Sequence, residues 1–436
     1  MAEQISSLKT GIKYKNTPIG KIPVDWELVR LEDICNIVGG STPSTSKKEF
    51  WGGDIPFATP TDITNLRGRQ ISETEQKITP EGLSSCGTHL LPVGSILLTS
   101  RATIGACAVN TKAIATNQGF ANLVCNERAY NWFIFYKMTS LRNELERLGS
   151  GSTFKEVSKT NIKSLLIPLP VLPEQKRIAE ILSTLDEAIE KTDQIIEKTK
   201  EAKKGLMQKL LTRGIGHKKF KKTEIGEIPV EWEVVKLKDV ASGQKYSFVD
   251  GPFGSNLKSI HYTKGGIPVI QSQSIISGAF RPTEGFYVSE QKAKELERSK
   301  ALPGDIVIAK IGVNYGASAT IAKDYPPAVL SGNTMKITPN PDKVITGFLQ
   351  HLLHYLRGVK VFDRIVSTTA QPAITLDGTK NIRIPLPQLP EQKQIAGILS
   401  SVDEEIEKEK SHKEELESLK KGLMQVLLTG KIRVLA

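Results

Sequence analysis

The chain contains one long segment twice, and this duplication constrains the fold more than any other feature of the sequence. Residues 173–212 read PEQKRIAEILSTLDEAIEKTDQIIEKTKEAKKGLMQKLLT, and residues 390–429 read PEQKQIAGILSSVDEEIEKEKSHKEELESLKKGLMQVLLT. The second copy follows the first at a constant distance of 217 positions without a gap, and more than half of the positions are identical. Such self-similarity indicates that two parts of the chain share one structural plan.

Each copy predicts a long α-helix that pairs with another helix. Pro173 and Pro390 suit the first helical turn, where no backbone N–H is needed, and neither segment has an internal proline. Apolar residues recur in steps of four and three, which is the seam of a coiled coil. The residues predicted to pair the helices are Ile178, Leu182, Leu185, Ile189, Ile196, Leu206, Leu210, Ile395, Leu399, Val402, Ile406, Leu416, Leu423 and Leu427. A helix of this length measures about 57 Å.

Polar residues interrupt this seam. They are Thr192, Thr199 and Lys203 in the first copy and Glu409, Lys413 and Lys420 in the second. Each helix could instead lie along its own domain with its remaining faces in water. The length of the segments and their 3.5-residue period favour pairing, so we expect the two helices to pack on each other.

The repeated unit is longer than the helix. Residues 17–34, TPIGKIPVDWELVRLEDI, match residues 223–240, TEIGEIPVEWEVVKLKDV. Each copy therefore begins with an entry strand, continues through short strands, glycine-rich turns and a late helix, and ends in the long helix. We expect Trp26 and Trp232 to pack in a core at the entrance of each domain. The predicted class is α+β, with two pseudo-symmetric globular domains separated by two long antiparallel coiled-coil helices.

The repeat also predicts where the chain divides. The predicted parts are an N-terminal arm (1–16), domain 1 (17–172), a central spacer helix (173–212), a basic linker (213–222), domain 2 (223–389), a C-terminal spacer helix (390–429) and a tail (430–436). Within the domains we expect late helices at about 131–148 and 346–365, Gly/Ser/Thr loops at 149–153 and 367–370, and short strands at 164–170 and 381–387. The linker lysines could contact phosphate or simply be exposed.

The order of the parts favours an antiparallel pair of helices. With parallel helices, domain 2 would have to bridge about 57 Å, whereas a domain of this size has a radius of gyration of only about 15 Å. An antiparallel pair avoids this, because each helix then ends near the domain that follows it. The two ends of the chain are therefore expected to meet near domain 1.

Composition points to a nucleic-acid partner only weakly. The formal net charge is +12, which favours a polyanionic partner. No apolar run is long enough to predict a transmembrane helix, and the first residues lack the apolar stretch of a secretory signal. The four cysteines, Cys35, Cys86, Cys107 and Cys125, form no CxxC pair, which fits a reducing cytosol and a cytoplasmic location.

No motif for catalysis is evident. We find no FxGxG-like S-adenosylmethionine loop with an Asn-Pro-Pro-Tyr type partner, and no P-loop. Asp305 and Lys310 resemble part of a nuclease site, but Ser95 replaces Asp305 in the first copy, so this segment is interpreted as a turn and a strand. The six histidines have no metal-ligand spacing, and we expect neither a catalytic nor a metal site.

The chain resembles the specificity (S) subunit of type I restriction–modification enzymes over almost its whole length. The resemblance rests on the paired IPxxWExVxL entries, on FWGGDIPF at Phe50–Phe57, and on the IPLPxLPEQKxIAxIL junctions at Ile167–Leu182 and Ile384–Leu399. It implies that the two domains are target-recognition domains, each reading half of a bipartite double-stranded DNA site. The helices and nearby surfaces would bind two methyltransferase subunits, which recruit restriction subunits. The chain itself would bind no cofactor, since S-adenosylmethionine, ATP and Mg²⁺ serve the partner subunits.

Side chains that read bases need donors and acceptors that match base edges. The candidates for DNA contact in domain 1 are Thr59, Thr61, Arg67, Arg69, Gln70, Arg101, Asn117 and Gln118, with Lys155 as a phosphate contact. Those in domain 2 are Gln271, Ser272, Gln273, Arg281, Lys310, Asn314, Tyr315, Asn333 and Gln371. Each of these could also be an ordinary surface residue or form a local turn bond.

Two other functions remain open on the sequence alone. A structural adaptor would use both domains to bind protein, and salt-dependent duplex binding would distinguish DNA recognition from it. An enzyme fused to a recognition module would transfer methyl groups without a partner. An isolated chain could also self-associate through the apolar stripe of its helices.

Overall fold

The structure is a computed structural model that describes residues 12–149, 155–276, 278–367 and 371–434. It divides into two compact units. Unit 1 comprises Met1–Gln194 with Lys410–Ala436, and unit 2 comprises Ile195–Glu409. The arm before residue 12 and the loop residues 150–153 and 368–370 lie outside the described residues.

Helices are short within the domains and long at the two repeats. They are α1 (Pro60–Thr64), α2 (Pro80–Ser84), α3 (Asn131–Ser140), α4 (Arg142–Leu148), α5 (Lys159–Lys163), α6 (Leu172–Arg213), α7 (Glu290–Glu295), α8 (Thr346–Gly358), α9 (Leu376–Lys380) and α10 (Leu389–Leu427). Both long helices, α6 and α10, agree with the prediction within two residues at each end.

Domain 1 consists of short strands in small sheets. The strands are β1 (Tyr14–Thr17), β2 (Gly20–Pro23), β3 (Glu27–Arg30), β4 (Cys35–Gly39), β5 (Trp51–Ala58), β6 (Gln70–Ile71), β7 (Gln76–Ile78), β8 (Ile96–Leu98), β9 (Cys107–Asn110), β10 (Ala115–Thr116), β11 (Ala121–Cys125) and β12 (Leu166–Leu169). The larger sheets have the orders β4-β11-β8-β9-β6 and β10-β5-β7. Strand β1 pairs with β2, so the predicted arm ends earlier than expected.

Domain 2 repeats this design with different loops. Its strands are β13 (Phe220–Thr223), β14 (Gly226–Pro229), β15 (Glu233–Lys236), β16 (Phe248–Asp250), β17 (Tyr262–Thr263), β18 (Ile267–Ile270), β19 (Ile275–Ile276), β20 (Ala279–Phe280), β21 (Tyr287–Val288), β22 (Lys300–Ala301), β23 (Ile306–Ala309), β24 (Ser318–Thr320), β25 (Ala328–Leu330), β26 (Thr334–Ile337), β27 (Val366–Ser367), β28 (Ala373–Ile374) and β29 (Arg383–Leu386). The main sheets are β16-β26-β23-β24 and β17-β21-β18-β25-β22.

Part of the predicted linker is structured. Its last residues form β13, which pairs with β14, and Lys221 Nζ donates to the backbone oxygen of Val230 at 2.8 Å. The guanidinium of Arg213 lies 5.2 Å from the centre of the Phe220 ring. These contacts order the end of the linker, whereas Lys218, Lys219 and Lys222 are exposed, and contact of these lysines with phosphate stays a prediction.

The repeated proline-glutamate-glutamine junction ties each long helix to its own domain. Trp26 Nε1 donates to Glu174 at 3.1 Å, and Trp232 Nε1 donates to Glu391 at 2.9 Å. Both indoles are buried, which confirms the predicted core packing. The next residue is a buried glutamine in each copy. The side-chain oxygen of this glutamine accepts a hydrogen bond from a backbone N–H just before the late helix. Its amide nitrogen donates a hydrogen bond to the carbonyl oxygen of the last proline before the long helix.

The tail and the linker make equivalent contacts at these junctions. Arg433 pairs with Glu174 at 2.6 Å and with Asp25 at 2.7 Å. In unit 2, the ring of His217 lies 2.9 Å from Glu391 and 3.1 Å from Glu231. The C-terminal residues of the described chain thus pack beside the start of domain 1, where the prediction placed the meeting of the two ends.

The seam of the long helices has two roles. Ile178 and Leu182 belong to the hydrophobic core of domain 1, and Ile395 and Leu399 belong to that of domain 2. At these positions the helix packs on its own domain, which is the alternative that the sequence left open. Most other predicted seam residues are buried, whereas Ile189, Leu206, Val402 and Leu423 are half-buried.

Ion pairs between α6 and α10 fix their antiparallel direction. In unit 1, Lys420 Nζ contacts Asp186 at 2.5 Å and Lys413 Nζ contacts Asp193 at 2.7 Å. In unit 2, Lys203 Nζ contacts Asp403 at 2.5 Å. The residue numbers of each pair add to the same total, as one antiparallel register requires. Three of the residues that interrupt the apolar seam are therefore the lysines that set its register.

Candidate nucleic-acid interface

In each domain, two parallel strands end at the same edge of a sheet, and this edge is the candidate reading surface. In domain 1, β5 runs parallel to β10, with Phe57 opposite Ala115. In domain 2, β18 runs parallel to β25, with Val269 opposite Val329. The other neighbours of these strands are antiparallel in both domains. The residues that follow these strands are therefore structurally equivalent between the domains.

A glycine lets a third loop approach each edge. A Cβ on Gly40, after β4, would lie 2.1 Å from the backbone oxygen of Asn117. A Cβ on Gly251, after β16, would lie 1.8 Å from the backbone oxygen of Ser331. Both distances are far below van der Waals contact, so only glycine fits. The loops that start at these glycines are held against the ends of the parallel strands.

Domain 1 gathers polar side chains at this edge. Thr59 follows β5, and Asn117 and Gln118 follow β10. The hydroxyl of Thr42 donates to Gln118 Oε1 at 2.5 Å. Thr42, Thr59 and Asn117 line a cavity of about 240 Å³, with Trp51 and Gln76 among its other walls. Three of the predicted DNA-contact residues are thus brought together.

Domain 2 presents different chemistry at the equivalent edge. Gln271 follows β18, and its amide donates to the Tyr262 hydroxyl at 3.1 Å. The loop after β16 carries Phe253, a residue that is 56% exposed. Predicted contacts Ser272 and Gln273 continue from Gln271 in a short 3₁₀ turn, and Asn333 is exposed beyond β25.

A buried aspartate organises the cations beside Phe253. Asp250 is almost completely buried, and it pairs with Arg298 at 2.8 Å and with Lys310 at 3.1 Å. Lys310 Nζ also lies 4.7 Å from the centre of the Phe253 ring. The four residues border a cavity of about 400 Å³. Lys310, predicted to contact DNA, is therefore engaged by an internal carboxylate.

Two predicted base contacts in domain 1 have internal partners. Arg69 lies 3.0 Å from the Tyr136 hydroxyl, 3.3 Å from Glu190 and 3.7 Å from Asp186, beside the ring of Trp132. This network links Arg69, which directly precedes β6, to α6, and contact of Arg69 with a base stays a prediction. Arg101 forms an ion pair of 2.9 Å with Glu156.

The remaining predicted residues are distributed over both domains. Thr61, Arg67, Gln70, Lys155, Arg281, Asn314 and Gln371 are exposed. Tyr315 donates to Asp363 at 3.0 Å, and this hydrogen bond raises the pKa of its hydroxyl. Sequence reasoning missed Thr42, Phe253 and Arg298. The glycines before Thr42 and Phe253 were the available signal, because a close backbone approach requires glycine.

The described residues also bear on other kinds of site. Among them, no group of three or more His, Cys, Asp and Glu side chains is placed to hold a metal ion. Likewise, within the described ranges no helix combines the length and apolar character needed to cross a membrane. His351 packs against the long helix, with Nε2 3.3 Å from Ser400 Oγ.

Comparison with known proteins identifies the family. The model of the type I restriction modification DNA specificity domain matches residues 23–201 and 229–418. The type I restriction enzyme MjaIX specificity subunit of Methanocaldococcus jannaschii is 30% identical, covering 97% of each chain. The MjaVIII specificity subunit of the same organism is 32% identical, covering 95% of this chain and 94% of its own.

Solved structures share the fold. The crystal structure of a type I restriction-modification S subunit from M. genitalium superposes with a TM-score of 0.56 at 16% identity, covering 96% of this chain and 99% of that one. A chain from a study of complex assembly and conformational transition of the type I system gives 0.59 at 20% identity, covering 94% and 99%. The chain, with its two recognition domains of α+β class and its antiparallel long helices, belongs to the family of type I restriction–modification DNA specificity subunits.

Proposed function

We propose that this chain reads a bipartite, asymmetric DNA site, with one half-site for each domain. The observation that supports this most is the pair of equivalent edges that differ in their side chains. The backbone frame is repeated, but Thr42 of domain 1 is replaced by Phe253 of domain 2, and Thr59 by Gln271. Two unlike readers on a repeated frame should recognise two unlike sequences, because base edges are distinguished by the groups that contact them.

The long helices would set the unread spacer between the half-sites. Half-sites on one face of DNA lie about 34–36 Å apart or more, and a helix of about 40 residues is long enough to span this distance. Adding the same number of helical turns to α6 and α10 should lengthen the spacer and leave both half-sites unchanged. A changed half-site with a constant spacer would contradict this assignment.

A repeated groove supports binding of two copies of one partner. In unit 1, a groove of about 770 Å³ is lined by Leu141 of the α3–α4 segment and by Gln425, Leu428 and Thr429. In unit 2, a groove of about 1010 Å³ is lined by Leu356 of α8 and by the matching residues Gln208, Leu211 and Thr212. We infer that two methyltransferase subunits bind the chain and that restriction subunits assemble through them. The chain itself would perform no catalysis and bind no cofactor.

The decisive experiment maps methylated sites in cells that contain this chain and its methyltransferase subunit. The control deletes only this chain. A split, asymmetric motif that disappears on deletion is the expected result, and exchange of one domain should change one half of that motif. Methylation that persists after deletion would favour the adaptor function instead.

A further inference from the structure

Phe253 is an apolar ring on a surface that should otherwise be polar. It lies two residues after Gly251, whose backbone packs against Ser331 at the end of β25, and Ser331 N donates to Ile270 O at the end of β18. More than half of the surface of this residue is exposed. Single exposed apolar residues are common on protein surfaces, and Ile260 and Val313 are even more exposed. What distinguishes Phe253 is its place on the candidate reading edge and the charged groups that hold it there.

The surroundings hold the ring in place instead of covering it. Lys310 Nζ lies 4.7 Å and the Arg298 guanidinium 5.9 Å from the ring centre, within the range of cation–π attraction. Both cations are also paired with the buried carboxylate of Asp250. The carboxylate therefore fixes the cations, and the cations fix the ring. Lys310 is mostly buried by these contacts, whereas Arg298 stays partly exposed, so the ring is the apolar group that this surface offers to DNA.

The chemistry of DNA limits what such a ring can recognise. In the major groove, base edges present hydrogen-bond donors, acceptors and one apolar group, which is the C5-methyl of thymine. A phenylalanine side chain has no polar atom that could form a hydrogen bond with the donors and acceptors of a base edge. It does make favourable apolar contact with a methyl group. The equivalent residue in domain 1, Thr42, carries a hydroxyl that holds Gln118, so at this position only domain 2 has an aromatic ring.

We propose that Phe253 contacts the C5-methyl group of a thymine in the half-site read by domain 2, and so determines specificity at that position. This inference rests on the proposed function, since it requires domain 2 to read a half-site. The Phe253 side chain and the thymine methyl group can each be removed without changing the other.

The test replaces each thymine of that half-site, one at a time, by deoxyuridine, which lacks only the methyl group. The affinity of the complete complex of this chain with its methyltransferase subunit is then measured for each duplex. At one position the substitution should lower affinity roughly fourfold, which is the contribution of one buried methyl group. In the Phe253→Ala complex, thymine and deoxyuridine duplexes should bind equally. Phe253→Leu keeps an apolar side chain and should retain part of the difference.

Controls separate this inference from the proposed function and from misfolding. Val93→Ala removes an exposed apolar side chain from domain 1 and should leave the thymine preference intact. A Phe253→Ala complex that still discriminates the first half-site and the remaining base pairs of the second half-site is folded and bound in register. If the wild-type complex prefers no sequence at all, the proposed function fails. The assignment of Phe253 is overturned if the complex binds specifically but the half-site contains no thymine. It is also overturned if Phe253→Ala weakens binding of both duplexes by the same factor, so that the preference for thymine over deoxyuridine persists.

Discussion

The indole Nε1–H of Trp26 donates a hydrogen bond to Glu174, although 148 positions separate the two residues in the sequence. The same carboxylate also pairs with Arg433, which contributes two hydrogen bonds of 2.6 and 2.7 Å. One buried glutamate thus joins the entry of domain 1, the start of α6 and the C-terminal tail. The repeat of this arrangement at Trp232 and Glu391 explains why the junction sequence occurs twice.

Removal of Arg433 should destabilise unit 1. Its hydrogen bonds with Glu174 and then with Asp25 raise the pKa of the guanidinium above its usual value, so the group is charged in the folded protein. Arg433→Ala would leave the buried carboxylate of Glu174 with Trp26 as its remaining side-chain partner. We expect a loss of about 2–3 kcal/mol in the free energy of unfolding, measured by urea denaturation.

A matched control for this prediction is Arg383→Ala. Arg383 pairs with Glu224 at 2.9 Å, but about half of each side chain is exposed. Such a surface pair contributes less than about 1 kcal/mol. Equal losses in the two variants would show that the burial of Glu174 does not determine the effect.

Reversal of one charge between the long helices should be corrected by reversal of its partner. Asp193→Lys would face Lys413, and the like charges should lower stability by about 0.5–1 kcal/mol, because this pair is partly exposed. The double variant Asp193→Lys with Lys413→Asp should recover most of that loss. The measurement is a double-mutant cycle of unfolding free energies.

The control for the charge reversal is Lys408→Glu. Lys408 is largely exposed and pairs with Glu405 on its own helix, so its reversal should change stability by no more than about 0.5 kcal/mol. A double variant no more stable than the single Asp193→Lys variant would contradict the proposed register.

Gln118 should determine preference at one base pair of the first half-site. Its Oε1 is fixed by the Thr42 hydroxyl, and a well-placed amide contributes about 1–3 kcal/mol of discrimination against a wrong base. Gln118→Ala should therefore relax the preference at that base pair by roughly 5-fold to 150-fold. Competition binding with single-base variants of the site measures this change.

Thr42→Val tests how Gln118 is positioned. This variant keeps the shape of Thr42 but removes the hydroxyl, so it should relax the same base pair by a smaller factor. The preference in the second half-site should stay constant in both variants. A uniform loss of affinity for all sequences would mean that Gln118 contacts phosphate instead of a base.

The sequence predicted the large features because they are local or repeated. A helix with a regular apolar period needs only its own residues to be recognised, and duplication doubles that signal. The reading edges depend instead on strand pairing between distant residues, such as Phe57 with Ala115, which no short motif reveals. Lys310 illustrates the limit, because its partner Asp250 lies 60 positions away. Arg69 shows the same limit, since its carboxylate partners lie on the distant helix α6.

Acid should destabilise unit 2 through His351. Burial, and to a smaller extent the nearby Lys203, lower the pKa of this histidine to about 4. The unfolded chain, with a histidine pKa near 6.5, binds the proton more readily than the folded one. The stabilisation that His351 contributes is therefore fully present above about pH 6.5 and is lost progressively as the pH falls towards 4. At the acid end of this range, the free energy of unfolding is lower by roughly 3 kcal/mol because of this group.

A His351→Gln variant separates the effect of His351 from that of the carboxylates, which also titrate in this pH range. Asp403, Lys203 and His354 face the ring, and all three are retained in His351→Gln, whose amide can still bond to Ser400. We expect the difference in unfolding midpoint between pH 7 and pH 4.5 to be smaller in this variant than in the wild type. His412→Gln, at an exposed position of α10, should leave the difference unchanged. If His351→Gln shows the wild-type pH dependence, protonation of His351 does not cause the loss of stability.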